Sequence, residues 1–372
     1  ADIIVINSCT VTNNADVSAR SYINQVKKKN KNIELFFTGC GVQTKGESLF
    51  KEKKVQSVFG HSEKEDINNL LRDQTPFFKL GDLKHLDTTI VEDFAGKSRA
   101  FIKIQEGCSF RCNYCIIPYV RGDSRSYDDN MIIKQIEKLA LNGFGEFILT
   151  GTNLGSYGKG SVSFAKLLSK IGQIRGVRRI RLGSIEPIQI TDEFKELLDE
   201  PWLGKHLHIA LQHSNNEMLS LMNRRNRLKS DLELFEFLSN KGYALGTDFI
   251  VGHPGETTKR WLDAMDNIEK FPLTHLHGFT YSKRDGTPSA SMKPEIRGDI
   301  AKKRLAELML KVEYKNKLFR LKQKNLDILV EERKNGLYTG YDQYFNRIHI
   351  KSNEDLIGNW VNIKHYNIGE KE

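Results

Sequence analysis

The chain has 372 residues, 39% of them hydrophobic, with 57 Lys plus Arg against 47 Asp plus Glu. That length exceeds one ordinary core and predicts two or three domains, while the hydrophobic content excludes a disordered chain. A net charge of +10 and a sequence pI near 9.2 are permissive for an anionic partner. No run of eighteen apolar residues occurs and the N terminus has no basic, cleavable leader pattern, so a cytoplasmic protein with no membrane partner is expected. Five cysteines, three of them within eight residues, point to metal ligation in a reducing compartment rather than to disulfides.

Residues 1–75 alternate strand and helix signals. Residues 3–6 are an apolar strand, Asn13 and Asn14 are placed to cap a helix reaching about Lys29, and residues 33–37 are a second strand. This predicts a parallel α/β module. Cys9 follows the first strand and Cys40 the second, at the carboxyl ends where open α/β sheets bind ligands. A third strand over 55–60 and a short helix over 64–72 complete the module, and residues 76–98, without convincing periodicity, read as a linker.

From residue 99 to residue 324 strand and helix signals repeat. Strands are predicted at 101–106, 146–150, 178–184, 206–212, 246–251 and 275–281, with helices such as 128–142, closed by Gly143, and 164–174. Six such units fall short of the about 250 residues of a closed eight-unit barrel, so an open (β/α)6 partial barrel is expected, with its site at the carboxyl ends of the strands. Within it the stretch FIKIQEGCSFRCNYCIIPYVR, residues 101–121, places Cys108, Cys112 and Cys115 in a C-x3-C-x2-C spacing on a loop after a strand. A structural zinc site wants four ligands, and this stretch holds no other Cys or His. An iron-sulfur cube held by three thiolates keeps one iron open for a substrate. Buried thiols, or a zinc knuckle with a distant fourth ligand, are the alternatives at this point.

Further motifs fall at the predicted strand ends: Gly151, Thr152 and Asn153 after the second strand, Ser184 and Glu186 after the third, Gln212 after the fourth, Gly252 after the fifth, and Tyr281 opening the last loop, 281–288. The carboxylate of Glu186 suits a ribose. His206, His208 and His213 invite a metal reading, but no carboxylate pattern accompanies them, and it is not favoured. Arg224, Arg225, Arg227 and Lys229 form a basic cluster that suits either phosphate or a solvated face. Residues 296–324 read as a long amphipathic helix carrying ten Lys or Arg, Lys302 and Lys303 among them, against three acids, a net of +7. Such concentration suits an RNA backbone. Residues 325–372 change to short alternating strands and predict a small β-barrel, with Tyr341, Tyr344, Phe345 and Arg347 exposed to stack on and contact nucleotides.

C-x3-C-x2-C with Tyr114 before its last cysteine resembles the signature of the radical S-adenosylmethionine enzymes, and the following IIPYVRGDSRS is similar to their methylthiotransferase branch. The stretches LTGTNLGSYG, HLHIALQHSNNEMLSLMNRRN and TYSKRDGTPSASM look most like the bacterial branch acting on N6-threonylcarbamoyladenosine beside the tRNA anticodon. The isopentenyladenosine branch is the alternative, followed by methylthiolation of a ribosomal protein and by a non-enzymatic RNA-binding protein. The resemblance implies three parts: an N-terminal methylthiotransferase α/β domain over 1–75, a radical barrel over 99–324 and an OB-like TRAM domain over 325–372. It implies two 4Fe-4S clusters, S-adenosylmethionine, a one-electron reductant and tRNA rather than DNA as partners. Cys108, Cys112 and Cys115 would hold the cluster that binds S-adenosylmethionine. Tyr114, Gly151, Thr152, Asn153, Ser184, Glu186, Gln212, Gly252 and Tyr281 would line the cofactor, and Arg224, Arg225, Lys302, Lys303, Tyr341 and Arg347 would meet RNA. Cys9 and Cys40 resemble the second and third of three auxiliary-cluster ligands. The family carries the first upstream of the point where this chain begins, so the N-terminal domain is expected to lack its first strand and helix.

Overall fold

Consecutive rather than alternating apolar residues in Glu34–Gly39 mark a strand buried on both faces, the usual state of a parallel sheet. The computed structural model shows this. It describes residues 2–366 apart from 73, 74 and 95, and not the Lys159 side chain. Parts of the expected linker and the end of the C-terminal segment, 367–372, lie outside the described residues. Strands β1 (Ile3–Ser8), β2 (Glu34–Gly39), β3 (Ser57–Phe59) and β4 (Phe78–Lys79) form a parallel sheet in that order. Leu35 and Phe37 join Ile6, Ile23 and Val58 in one core, and Phe36 joins Phe59 and Leu70 in another. Helix α1 (Asn13–Lys29) is capped by Thr12, whose hydroxyl accepts from Ala15 N, and not by Asn13 or Asn14, which sit in its first turn. The expected linker contributes a strand of its own: β4 pairs with β3 through Val58↔Phe78.

By contacts the chain forms two units. One comprises Ala1–Thr89, Glu106–Arg125 and Ser282–Met292, the other Ile90–Gln105, Ser126–Tyr281 and Lys293–Glu372. All five cysteines therefore belong to the first unit. Buried polar links tie in its outlying segments: Arg284 donates to Asp16 (2.7 Å), Thr10 (2.8 Å) and Asn13 (2.6 Å). A division read along the chain misses this, because the linking residues are more than 250 positions apart.

The second unit contains the open barrel. Its strands are Arg99–Glu106, whose last residue is counted with the first unit, then Glu146–Gly151, Arg179–Leu182, His206–His208, Ala244–Val251 and Leu273–Thr280. Neighbours pair in parallel in chain order. The third and fourth strands are joined only by isolated bridges such as Ile185↔Ile209, and among the described residues no pairing joins the sixth to the first. The third and fourth strands are shorter than predicted, because their ends turn into the loops that carry Ser184 and Gln212. Amphipathic helices Asp129–Leu141, Phe164–Gly172 and Thr258–Lys270 bury their apolar faces on the unit's core. Among the described residues no helix is long and apolar enough to cross a membrane.

Four antiparallel strands, Leu326–Lys334, Leu337–Tyr341, Arg347–Ile350 and Trp360–Ile363, end the described chain, the first two joined at Asn335-Gly336, both with positive φ. This sheet packs on the starts of the barrel strands. Arg99 donates to Glu331 (2.9 Å), Arg179 to Asp327 (2.7 Å) and Arg181 to the carbonyl of Asp342 (2.5 Å). Arg178 stacks on Trp360, Arg99 on Tyr341 and Arg181 on Phe345, whose ring also stacks on His206. Tyr341, Tyr344 and Phe345 are accordingly half-buried rather than exposed, and Tyr341 and Phe345 spend a ring face on this interface.

The basic helix runs Gly298–Lys322, and part of its charge is structural. Arg304 is buried on Glu256 (2.7 Å). Lys315 donates to the carbonyls of Ile268, Glu269 and Phe271 at the end of helix Thr258–Lys270, where the helix dipole favours a cation. Lys302, Lys303, Lys317, Lys322 and Lys324 are exposed.

Candidate functional site

The cysteine loop starts at Gly107, with φ +71° and a Cβ position that would lie 2.0 Å from the Asp123 carbonyl, so only glycine fits. Cys108 N donates to Gly122 O (3.0 Å), and Arg111 bonds both the Cys108 carbonyl (3.1 Å) and Asp123 (2.5 Å), pinning the loop's two ends together. Cys115 N donates to Cys112 O (3.0 Å), closing a turn before helix Ile117–Arg121. Cys108, Cys112 and Cys115 are half-buried and in no disulfide. Among the described residues, the one group of three metal-ligating side chains with ligand atoms within 4.8 Å of one another is His208, Asp248 and His277. Three thiols are one fewer than a structural zinc site takes, and as a donor set they suit an iron-sulfur group that keeps one iron open.

Cys9 and Cys40 lie one residue past the paired positions Ser8↔Gly39, on adjacent parallel strands that stand about 4.8 Å apart. Cys9 is exposed and Cys40 buried. The Cys40 sulfur accepts a hydrogen bond from Arg121 Nε (2.9 Å), and Arg121 Nη1 pairs with Glu106 (2.6 Å), the residue before Gly107. Burial works against the Arg121 charge, but Cys40 and Glu106 more than offset it and hold its pKa above the ordinary value. Ile116, just before helix Ile117–Arg121, and Val120, within it, pack on Cys40.

In the second unit the loops after successive strands are joined by hydrogen bonds. Gln105 Oε1 on the first strand accepts from Asn153 N (2.8 Å); Asn153 Oδ1 accepts from Gln189 Nε2 (2.8 Å); and Gln189 Oε1 accepts from Glu186 N (3.1 Å). Glu186 is gripped by both terminal nitrogens of Arg224, whose Nη2 also reaches Ala210 O (2.5 Å) and whose Nε reaches Asn226 (3.1 Å). Arg224 is 4% exposed, which corrects its assignment as an RNA contact: it is an internal partner of Glu186, whereas Arg225 is exposed. Asn226 is anchored on Asp231 (2.6 Å), whose carboxyl burial pushes up to about 6. Asn153 and Glu186 thus stand on a common polar frame, while Gln212, with φ +65°, is tied separately to the fifth strand through Gln212 N→Asp248 O (2.9 Å). Ser184 and Gly151 are exposed and Thr152 half-buried on the same set of loops.

Gly252 donates to Glu256 (2.9 Å), and a Cβ there would meet Ala301 at 2.6 Å. Glu256, fully buried, also faces His213 Nε2 at 3.4 Å, so His213 is an internal partner of that carboxylate. Tyr281 packs edge-on against His253, whose pKa burial lowers to about 4. The Tyr281 hydroxyl is buried with no hydrogen-bond partner among the described residues.

Sequence reasoning missed Arg121, Arg284, Asp248 and Glu256. Arg121 and Arg284 lie inside quoted motifs, but an arginine satisfied by a distant partner has no local pattern to distinguish it from a solvated one.

A parallel barrel whose first strand runs into a three-cysteine loop, with polar loops at its other strand ends, defines the radical S-adenosylmethionine class of enzymes. Residues 102–268 match the Radical SAM superfamily, and residues 1–60 match "Uncharacterized protein family UPF0004". A Helicobacter pylori (strain J99) protein named "Putative methylthiotransferase" is 52% identical over 379 residues, 100% of this chain and 90% of the relative. The Bacillus subtilis threonylcarbamoyladenosine tRNA methylthiotransferase MtaB is 34% identical over 388 residues, 98% of this chain and 85% of the relative. Among solved structures, the radical S-adenosylmethionine methyltransferase TsrM from Kitasatospora setae shares the fold at 15% identity, with a TM-score of 0.61 over 77% of this chain and 64% of that one. The chain belongs to the radical S-adenosylmethionine methylthiotransferases. It is an enzyme of that kind, and its fold implies a 4Fe-4S cluster and S-adenosylmethionine.

Proposed function

We propose that this protein adds a methylthio group to C2 of N6-threonylcarbamoyladenosine beside the anticodon of tRNA. The observation that carries the reading is the gathering of two cysteine sets in one unit: Cys108, Cys112 and Cys115 on one loop, and Cys9 beside Cys40 at adjoining strand ends. One set serves radical formation. The other, at the carboxyl edge of its own sheet, suits an auxiliary cluster for sulfur delivery. When bound, the clusters and S-adenosylmethionine supply a 5'-deoxyadenosyl radical and a transferable methylthio group.

The chain's own residues then have stated tasks. Tyr114, Gly151, Thr152, Asn153, Ser184, Gln212 and Gly252 line the cofactor. Glu186, kept in place by Arg224, accepts the cofactor's ribose hydroxyls through its remaining lone pairs, and the Tyr281 hydroxyl donates to a polar atom of the same ligand. Exposed Lys302, Lys303, Arg225 and Arg347 meet tRNA phosphates, and Tyr341, the register partner of Arg347, contacts RNA from the C-terminal sheet, which acts as an OB-like TRAM appendage. A one-electron reductant is required.

A dimethylallyladenosine synthase from Lachnoclostridium phytofermentans is also 34% identical over 388 residues, so isopentenyladenosine is the second reading. The threonylcarbamoyl reading is favoured by Asp248 and His277, paired across the fifth and sixth barrel strands on the face opposite the one that Gly278 turns to Leu305. A polar face suits a substituent ending in a hydroxyl and a carboxylate better than an apolar prenyl group. Nucleoside mass spectrometry on a deletion strain tests this. Loss of the methylthio form of threonylcarbamoyladenosine is expected; loss of the methylthio prenyl nucleoside instead, or of a ribosomal-protein methylthio group, overturns it.

A further inference from the structure

The fold assembles a three-ligand cluster that the sequence did not announce. His208 ends the fourth barrel strand, Asp248 lies in the fifth and His277 in the sixth, in a register that pairs His208 with Gly246 and Asp248 with His277. Gly246 makes room for it: a Cβ there would lie 2.6 Å from His208 Nδ1. Asp248 Oδ1 is 3.2 Å from His208 Nε2 and 3.6 Å from His277 Nδ1, and the two imidazoles stack with centroids 4.4 Å apart.

We propose that His208, Asp248 and His277 form a mononuclear site for a first-row divalent cation of the Zn2+, Fe2+ or Co2+ type, separate from the cysteines. Two observations carry it. The three ligand atoms all lie within 4.8 Å of one another, and a cation about 2.1 Å from each would see the two measured edges at angles of roughly 100–120°, ordinary for such ions. In addition, His208 is 5% exposed, and its Nε2 faces Asp248 at 3.2 Å with no other hydrogen-bond partner among the described residues. Neighbouring histidines are otherwise engaged, His275 Nδ1 with Thr274 (2.8 Å) and His206 with the Phe345 ring. With three protein ligands the cation keeps open positions, and the 61% exposed side chain of His277 places them toward solvent, where water or a carboxylate-bearing substrate can bind.

The test uses the whole chain, reconstituted anaerobically so that its thiols are occupied, and titrated with Co2+ under visible spectroscopy. Expected is one equivalent with the weak bands of nitrogen and oxygen ligation, and binding at least about tenfold weaker in His277→Gln and in Asp248→Asn. His277→Gln alters an exposed side chain, so its thermal unfolding should match the parent, which separates lost ligation from lost folding. An intense thiolate-to-cobalt band as the sole response, no binding at millimolar Co2+, or equal affinity in parent and His277→Gln would each overturn the site. Loss of a modified nucleoside plays no part in this readout, so its outcome is independent of the tRNA assignment.

Discussion

Replacing Arg284 by Ala removes three hydrogen bonds at once, to Asp16, Thr10 and Asn13. Asp16, 6% exposed, would retain the Thr10 hydroxyl at 2.8 Å but lose its only ion-pair partner among the described residues. Breaking a buried pair from one side costs about 3–5 kcal/mol, because the remaining charge is left uncompensated. At 1.4 kcal/mol per tenfold, amides that exchange through opening of the N-terminal module should exchange roughly 10²- to 4 × 10³-fold faster in the variant. The three tryptophans, Trp202, Trp261 and Trp360, all lie in the other unit, so their fluorescence supplies an internal control that should unfold near the parental denaturant midpoint. The companion double variant Asp16→Leu/Arg284→Met removes both charges, leaving Thr10 on Thr44 (2.8 Å), and should recover about half or more of the loss. Exchange in Arg284→Ala within about threefold of the parent, or a double variant worse than the single, would refute the reasoning.

Cys112→Ala should abolish 5'-deoxyadenosine formation while leaving the circular-dichroism melt unchanged, since the side chain is half-buried in a loop; undiminished formation would refute the ligand assignment. Lys302→Glu/Lys303→Glu should weaken tRNA binding about tenfold or more and flatten its salt dependence, measured by filter binding at two salt concentrations, whereas deleting the C-terminal sheet would uncover the buried Glu146 cluster and is expected to destabilise the barrel itself. Asp231 has a folded pKa near 6 against about 3.9 unfolded, so its contribution to stability is full below about pH 4 and is lost as pH rises through about 6. Asp231→Asn should therefore gain on the parent between pH 4 and 7 in urea unfolding, and a pH-independent difference would contradict the assignment.

Much of the architecture was legible in the sequence because it is encoded locally. The apolar run of Glu34–Gly39, the period of the helix Gly298–Lys322, the Asn335-Gly336 turn and the spacing of Cys108, Cys112 and Cys115 each depend on residues within one element. Charge was the property the sequence could not place. Arg224, read as a phosphate contact, is an internal clamp on Glu186, and Arg304 and Lys315 of the basic helix are consumed by Glu256 and by a helix end. Likewise His208 had no carboxylate near it along the chain, and it acquires Asp248 from the next strand only when the parallel register forms. The physical reason is the same in each case. A hydrophobic pattern reports burial by its period, but an ionic side chain is satisfied by whichever partner the topology brings within about 3 Å, and that partner lies 38 positions away for Arg224 and 40 for His208.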